Sequence, residues 1–250
     1  MSELIVIAHA RYWAPHSTSW KRSRIDGFNV YAATIDSNTQ INGIFSDSES
    51  LIEIRRYLDR YYLVLPVDDN LIRQETVNAF FTLIAKHYDE TVHVDQNIEN
   101  INFLFEELRS RLGTLEHKTI LDFGCGTGLS LRSTFAPTVD MMGIDSCPIM
   151  QESAARRGHR LIMLEDLSSG RLVFDGIICS YVLHLVSDTT MFRALAACLK
   201  SGCAIVANFH KGVGVRQITA VLESERFESQ EFVSTPPSDQ HGVFIAFVKR

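Results

Sequence analysis

The segment LDFGCGTG, which runs from Leu121 to Gly128, is the most informative stretch in this chain of 250 residues. An apolar, strand-like run leads into it, glycine then occupies every second position, and a helix-like run begins near Leu129. Glycine lets the backbone approach a ligand closely, and the N-terminus of a helix offers N–H groups that have no partner within the helix. The segment therefore predicts a ligand site at the carboxyl end of a strand, where open α/β sheets bind ligands. A turn that merely joins strand to helix is the alternative, but it needs fewer glycines.

The spacing of the three glycines distinguishes two kinds of cofactor site. A dinucleotide-binding turn has the pattern GxGxxG, so after Gly124 and Gly126 the third glycine would stand where Leu129 is. Here it stands one position earlier, at Gly128, and the acidic Asp122 precedes the set. This GxGxG form after an acidic residue resembles motif I of the class I S-adenosylmethionine-dependent methyltransferases.

A second segment, MGIDSCPIM from Met142 to Met150, resembles the stretch of that family in which an acidic residue at the end of the second strand binds the ribose. The resemblance implies this role for Asp145, with Ser146 beside it. A carboxylate suits the role because it can accept hydrogen bonds from both vicinal hydroxyls. As an alternative, Asp145 only caps the helix that follows.

The segment LEDL, from Leu164 to Leu167, ends the predicted third strand, where the family places an acidic residue that accepts a hydrogen bond from the adenine amino group. Because side chains alternate along a strand, only one of Glu165 and Asp166 can face the crevice, and Asp166 fits better. Leu167 is expected at the cofactor as well.

The segment FDGIICSYVLHL, which begins at Phe174, resembles the fourth-strand motif of the family, with Leu185 where many members have a second histidine. The resemblance implies that Ser180 and Tyr181 lie at the cofactor.

His184 is the predicted general base, because imidazole titrates near neutral pH and this strand end adjoins the cofactor. A packing histidine, hydrogen-bonded to a loop, is the alternative. Weaker candidates for the base are Tyr181 and His210.

Ahead of these segments, KHYD from Lys86 to Asp89 ends a predicted helix, and the family often carries a Tyr-Asp pair there that covers the cofactor. The resemblance implies that Tyr88 lies near the methionine part of the cofactor or near the acceptor. An ordinary aromatic at a helix end is the alternative. Farther on, LKSGC from Leu199 to Cys203 corresponds to the family's LKPGG before the fifth strand.

The resemblance thus covers roughly residues 119 to 210, and it implies S-adenosylmethionine as the cofactor. The residues that it assigns to the cofactor are Asp122, Phe123, Gly124, Cys125, Gly126, Thr127, Gly128, Asp145, Ser146, Asp166, Leu167, Ser180, Tyr181 and Tyr88.

Beyond residue 115, apolar strand-like runs alternate with helix-like runs, which predicts parallel strands joined by helices. With the resemblance to the class I methyltransferases, this implies an α/β fold with a Rossmann-like, doubly wound, mostly parallel seven-stranded sheet, and we expect an added N-terminal α+β cap segment. The predicted parallel strands cover 119–123, 141–145, 160–164, 175–180 and 204–208, with a last strand at 243–248.

The change of pattern predicts two domains. Residues 1–114 form a cap for substrate recognition with lid helices near 51–62 and 97–112, and residues 115–250 form the cofactor-binding core. Added segments of this kind commonly carry substrate contacts.

The composition excludes several classes of protein. The net charge of −6 opposes the charge-driven part of nucleic-acid binding, so no nucleic-acid partner is expected. The five cysteines show no CxxC spacing, so we expect reduced thiols and no metal. No signal-peptide pattern and no run of about 18 apolar residues occurs, so we expect a cytoplasmic protein with no membrane partner. Monomer and homo-oligomer both remain open.

Two motifs that the sequence lacks narrow the range of possible methyl acceptors. After the fourth strand there is no Asn/Asp-Pro-Pro-aromatic run, which similar families use to orient an amino group, and no Pro-Cys nucleophile for pyrimidine chemistry. Elimination leaves a small molecule, methylated at oxygen, nitrogen or carbon. Two alternatives stay open: a catalytically silent subunit that binds the cofactor and acts through a partner, and, opposed by the glycine spacing, a nicotinamide-dependent oxidoreductase.

Overall fold

The structure is a computed structural model that describes residues 2–15, 20–25, 28–35, 44–45, 52–58, 60–186, 188–210, 212–232 and 242–250. These residues form two compact units, Met1–Lys86 and His87–Arg250. The units divide before the helix Val94–Leu112, whereas the sequence suggests a boundary after it. That helix belongs with the second unit, because its buried Leu104 and Leu108 pack in one cluster with Ile120 and Ile178 of that unit's strands.

Among its described residues, the first unit contains a sheet and one long helix. Its elements are β1 (Ser2–Ala8), β2 (Lys21–Ile25), β3 (Phe28–Ile35), β4 (Ile52–Tyr57), β5 (Tyr61–Pro66) and α1 (Asn70–Ile84). The strands follow the order β2-β3-β1-β5-β4, with β1 and β5 parallel and the other neighbours antiparallel. Helix α1 is capped by Asp69, whose Oδ1 accepts the N–H of Ile72 at 3.0 Å. The predicted α+β character of this part is confirmed, and its role in substrate recognition stays a prediction.

The predicted lid helix over residues 51–62 is wrong. β4 and β5 pair as antiparallel neighbours, with Ile54 opposite Val64. Apolar residues at helical spacing suggested a helix, but the many β-branched and aromatic residues favour strands, and pairing the two segments satisfies their backbone groups.

The second unit contains the predicted seven-stranded sheet. Its strands are β6 (Thr119–Phe123), β7 (Asp140–Ile144), β8 (Arg160–Leu161), β9 (Gly176–Ser180), β10 (Ala204–His210), β11 (Phe227–Phe232) and β12 (Gly242–Lys249). They follow the order β11-β12-β10-β9-β6-β7-β8. From β10 to β8 all neighbours are parallel, and β12 and β11 add an antiparallel edge. The Rossmann-like, mostly parallel sheet is therefore confirmed.

Helices cover both faces of this sheet. They are α2 (Tyr88–Thr91), α3 (Val94–Leu112), α4 (Pro148–Arg156), α5 (Leu164–Ser168), α6 (Thr190–Cys198) and α7 (Val215–Ser224). On one face Leu121 packs in a cluster with Phe192 of α6 and Leu222 of α7. The next residue back, Ile120, points the other way and packs with Leu104 of α3. No helix in the described ranges is long and apolar enough to cross a membrane.

The third parallel strand is shorter than predicted. The run 160–164 pairs with β7 only through Arg160 and Leu161, and helix α5 begins at Leu164. β8 lies at the sheet edge, where one neighbour supports it. Two acidic residues in the first turn, Glu165 and Asp166, suit the positive end of a helix dipole, so the chain turns helical there.

Candidate functional site

The glycine-rich loop joins β6 to a 3₁₀-helical turn at Leu129–Arg132. All three of its alternating glycines adopt positive φ, namely 75° at Gly124, 53° at Gly126 and 82° at Gly128. A Cβ on Gly124 would lie 2.3 Å from Cγ2 of Val182, whereas a Cβ on Gly126 would meet nothing within 4 Å. The conformation therefore requires glycine at each position, and at Gly126 the backbone borders open space.

Asp145 follows β7 and contacts this loop. Its Oδ2 accepts the N–H of Gly126 at 2.9 Å, and its Oδ1 accepts the N–H of Cys147 at 2.8 Å. Burial raises the pKa of Asp145, while the N–H groups of Cys147 and Gly126 partly offset that effect. One oxygen thus supports the entry to α4, as the capping alternative expects, and the other fixes the loop beside open space.

Tyr88 opens helix α2 and is partly buried against the sheet cluster. Burial, together with the charges of Asp145 and Asp89, raises the pKa of Tyr88 to about 12. Tyr88 therefore lies within electrostatic reach of Asp145, and its contact with the cofactor stays a prediction.

Asp89 and Arg157 also reach the loop, through Thr127. Thr127 Oγ1 donates to Asp89 Oδ1 at 3.0 Å and accepts from Arg157 Nη1 at 3.2 Å, while Arg157 Nη2 pairs with Asp89 Oδ2. Sequence reasoning assigned Asp89 no role beyond the Tyr-Asp pair. Nothing in the sequence pointed to a role for Arg157, because a basic residue at the end of a helix is common.

Asp122 lies beneath the loop and is buried. Ser130 Oγ donates to Asp122 Oδ2, and His159 Nε2 lies 3.3 Å from that oxygen and 3.2 Å from Ser130 Oγ. A Cβ on Gly143 would lie 2.6 Å from His159 Cε1, so a glycine is needed there to admit the imidazole. The carboxylate of Asp122 is occupied by protein partners and supports the loop from inside, a network that the sequence did not indicate.

Three other residues assigned to the cofactor have buried side chains. Phe123 and Leu167 belong to the hydrophobic core, and burial raises the pKa of the Cys125 thiol. At these positions the side chains are unavailable to a ligand, and their contact with the cofactor stays a prediction. Ser146, by contrast, is exposed beside Asp145.

Asp166 lies in a helix, not at the end of a strand. Its Oδ2 accepts the N–H of Met163, the residue before the helix, at 2.9 Å, which is the carboxylate half of a capping box. The argument from strand alternation that preferred Asp166 to Glu165 therefore does not hold. The adenine contact of Asp166 stays a prediction.

Tyr181 directly follows Ser180, the last residue of β9, and has a left-handed φ of 54°, which is unusual for tyrosine. Its N–H donates to Asn208 Oδ1 at 2.8 Å, and its Oη accepts from Asn100 Nδ2 at 2.9 Å. Both asparagines are fully buried. These two side chains, which the sequence did not single out, hold Tyr181 in its strained conformation at the sheet's carboxyl edge.

His184 lies in a 3₁₀-helical turn, Leu183–Leu185, beyond β9. A Cβ on Gly214 would lie 2.9 Å from His184 Cβ, so the histidine packs closely on the turn before α7. His210 is exposed at the end of β10. The predicted roles of both as bases stay predictions. Among the described residues, no group of three or more His, Cys, Asp or Glu side chains is arranged to hold a metal ion.

A family model described as a methyltransferase domain matches residues 88–217, just over half of the chain. The chain belongs to this methyltransferase family. A ubiquinone biosynthesis O-methyltransferase from Bordetella avium (strain 197N) is 28% identical over 142 residues, which cover 52% of this chain. The matched region spans 58% of that relative's length, less than two thirds.

Solved structures share the fold. Magnesium protoporphyrin IX methyltransferase from Synechocystis PCC 6803 with bound SAH aligns with a TM-score of 0.53 and 15% identity, over 71% of this chain and all of that one. A putative S-adenosylmethionine-dependent methyltransferase from Methanococcus maripaludis aligns with a TM-score of 0.51 and 17% identity, over 66% of this chain and 91% of that one. At such identities the likeness concerns the fold alone. Together with the family match, the shared fold confirms the prediction that the chain is a class I S-adenosylmethionine-dependent methyltransferase. S-adenosylmethionine is therefore the cofactor of its family.

Proposed function

We propose that the chain transfers a methyl group from S-adenosylmethionine to a small-molecule acceptor and binds the cofactor between the glycine-rich loop and Asp145. One observation carries the proposal. Gly126 is held in a left-handed conformation by Asp145 Oδ2, and the position of a Cβ there is open space. Backbone can approach a ligand at this point, beside a carboxylate that can accept hydrogen bonds from a ribose.

The other residues follow from this placement. Asp145 would accept the ribose hydroxyls, Ser146 and Asp166 would lie toward the adenine, and Tyr88 toward the methionine part. When bound, the cofactor supplies a methyl group that its sulfonium already activates. The protein's task is then mainly to hold the acceptor atom in line with that methyl group.

The residues that best support an acceptor site lie at and beyond the end of β9. Tyr181 is fixed there by two buried asparagines, and His184 follows it in the next turn. The relative from Bordetella avium is named an O-methyltransferase, so a hydroxyl is the first acceptor group to test, with nitrogen and carbon still open. An acceptor hydroxyl that must lose its proton would need a base, for which His184 remains the candidate. The absence of a nucleic-acid partner and the cytoplasmic location stay predictions.

Calorimetry with S-adenosylhomocysteine tests the cofactor site. Asp145→Ala should weaken binding about tenfold to 150-fold, because it removes charge-assisted hydrogen bonds of about 1.5–3 kcal/mol. Asp140→Ala is the matched control: Asp140 opens the same strand, is exposed and lies 3.3 Å from Arg160 Nη1. It should bind like the wild type. An unchanged dissociation constant in a folded Asp145→Ala variant, or preferential binding of NAD by the wild type, contradicts the proposal.

Turnover is tested separately, by release of S-adenosylhomocysteine from S-adenosylmethionine with a panel of phenols, catechols and amines. Transfer that depends on the added compound supports the enzyme. Tight cofactor binding without transfer to any of them supports the catalytically silent subunit instead.

A further inference from the structure

Three side chains connect the first helix of the methyltransferase unit to the glycine-rich loop. Asp89 lies in α2, Thr127 lies between the second and third glycines of the loop, and Arg157 follows α4 as its C-cap. The Thr127 hydroxyl donates to Asp89 at 3.0 Å and accepts from Arg157 at 3.2 Å, and the two charged groups pair directly. We call this arrangement the Asp89–Thr127–Arg157 clasp.

The chemistry of the clasp depends on an arginine. Two different nitrogens of Arg157 reach two different partners, Nη1 to Thr127 and Nη2 to Asp89. The planar fork of a guanidinium can do this, whereas a lysine presents one nitrogen. The two charged side chains remain 36% and 32% exposed, and pairs at such exposure add little to stability. The clasp therefore contributes mainly by fixing positions.

The elements that the clasp fixes meet at the proposed cofactor site. Asp89 is adjacent to Tyr88, and Thr127 is adjacent to Gly126, whose N–H is bonded to Asp145. Tyr88 lies within electrostatic reach of Asp145. Holding Asp89 on the loop thus holds Tyr88 near Asp145.

We infer that Asp89 and Arg157 are positioning residues for S-adenosylmethionine, which keep Tyr88 and the glycine-rich loop closed around the cofactor. The inference rests on the proposed function. A cofactor enclosed between Tyr88 and the loop would have to part them to leave, so loss of the clasp should speed dissociation more than it slows association. A residue that serves only stability would lower the melting temperature and leave the dissociation rate unchanged.

The experiment measures dissociation of S-adenosylhomocysteine by surface plasmon resonance. Arg157→Met should raise the dissociation rate about fivefold to tenfold, while the melting temperature stays near that of the wild type. Arg156→Met is the matched control, because Arg156 precedes Arg157 in the chain and its Nη2 reaches Ser153 Oγ at 3.1 Å. That variant should dissociate like the wild type.

Two further variants protect the test against misfolding. Arg157→Lys keeps the charge and should still dissociate faster than the wild type, because lysine lacks the planar fork that sets two separate nitrogens against Thr127 and Asp89. The exchange Asp89→Arg with Arg157→Asp should restore part of the slow dissociation. Raising the salt from about 0.05 M to about 0.5 M should speed dissociation from the wild type and have little effect on Arg157→Met.

The outcomes separate the two proposals. If Asp145→Ala weakens binding but Arg157→Met and Arg157→Lys dissociate at the wild-type rate, the clasp inference is overturned and the proposed function stands. If S-adenosylhomocysteine does not bind, or Asp145→Ala binds it normally, both fall. Faster dissociation in the Arg157 variants alone, partly restored by the exchange, supports the clasp.

Discussion

Asp145 and Asp166 follow successive parallel strands, and the sequence assigns both to the cofactor, yet the structure surrounds them differently. β7 is paired over its five residues with β6, and Asp145 emerges at its end against the glycine-rich loop. β8 is paired over two residues only, and Asp166 lies in the helix that follows, bonded to its start. The end of the fully paired strand β7 holds the carboxylate of Asp145 at the carboxyl end of the sheet. After the short edge strand β8, the carboxylate of Asp166 instead bonds to the start of the helix that contains it.

The largest expected effect concerns the loop that faces Asp145. Gly124→Ala places a Cβ 2.3 Å from Val182 Cγ2, at a residue whose φ is 75°. The loop or the segment after β9 must move to relieve the steric overlap and the backbone strain. We expect affinity for S-adenosylhomocysteine to fall more than about 100-fold and the free energy of unfolding to fall by about 2–4 kcal/mol. Calorimetry and urea denaturation measure the two.

Gly170→Ala is the control for strain alone. Gly170 has a φ of 68°, but a Cβ there would meet nothing within 4 Å. It should lose about 1–2 kcal/mol of stability and keep its affinity. Normal affinity in Gly124→Ala would show that the loop beside Asp145 does not form the cofactor site.

A second prediction uses the ionisation of Asp145. Burial raises its pKa in the free protein, and ribose hydroxyls that donate to the carboxylate would lower the pKa again in the complex. Affinity should therefore be constant above the pKa of the free protein and fall, by up to about tenfold per pH unit, as the pH drops below it. Calorimetry at a series of pH values measures this.

Asp145→Asn should bind weakly at every pH and lose this part of the pH dependence. Asp166→Asn should keep the wild-type profile, which separates the two carboxylates. Identical profiles for the wild type and Asp145→Asn would mean that the ionised Asp145 does not contact the ligand.

The contrast between the two acids also shows what the sequence could predict. The loop and the position of Asp145 were predictable because neighbouring residues in the sequence determine them. Alternating glycines adopt the three positive φ angles of the loop, and Asp145 directly follows an apolar strand. Asp166 was misplaced because a short apolar run does not distinguish a strand from the start of a helix. The same ambiguity turned the β4–β5 hairpin into a predicted helix.

The partners that fix the site were beyond sequence reasoning for a different reason. Asn100 meets Tyr181 across 81 positions in the chain, and Arg157 meets Asp89 across 68. Asparagine within a helix and arginine at a helix end are common residues with many uses. Their roles follow from the packing of α2, α3 and α4 around the sheet, which no single segment encodes.

The smallest effect is expected at Asp166, and it decides whether this carboxylate serves the helix alone. Asp166→Ala removes the side-chain half of the capping box and should lower the free energy of unfolding by about 0.5–2 kcal/mol. Glu165→Ala, in the same turn, is the control and should change stability less. If Asp166 also accepts the adenine amino group, the variant should bind S-adenosylhomocysteine a few times more weakly, while its affinity for S-inosylhomocysteine, which lacks that group, should match the wild type. A variant that loses stability but binds both ligands like the wild type would make the adenine prediction wrong, and Asp166 would be a capping residue only.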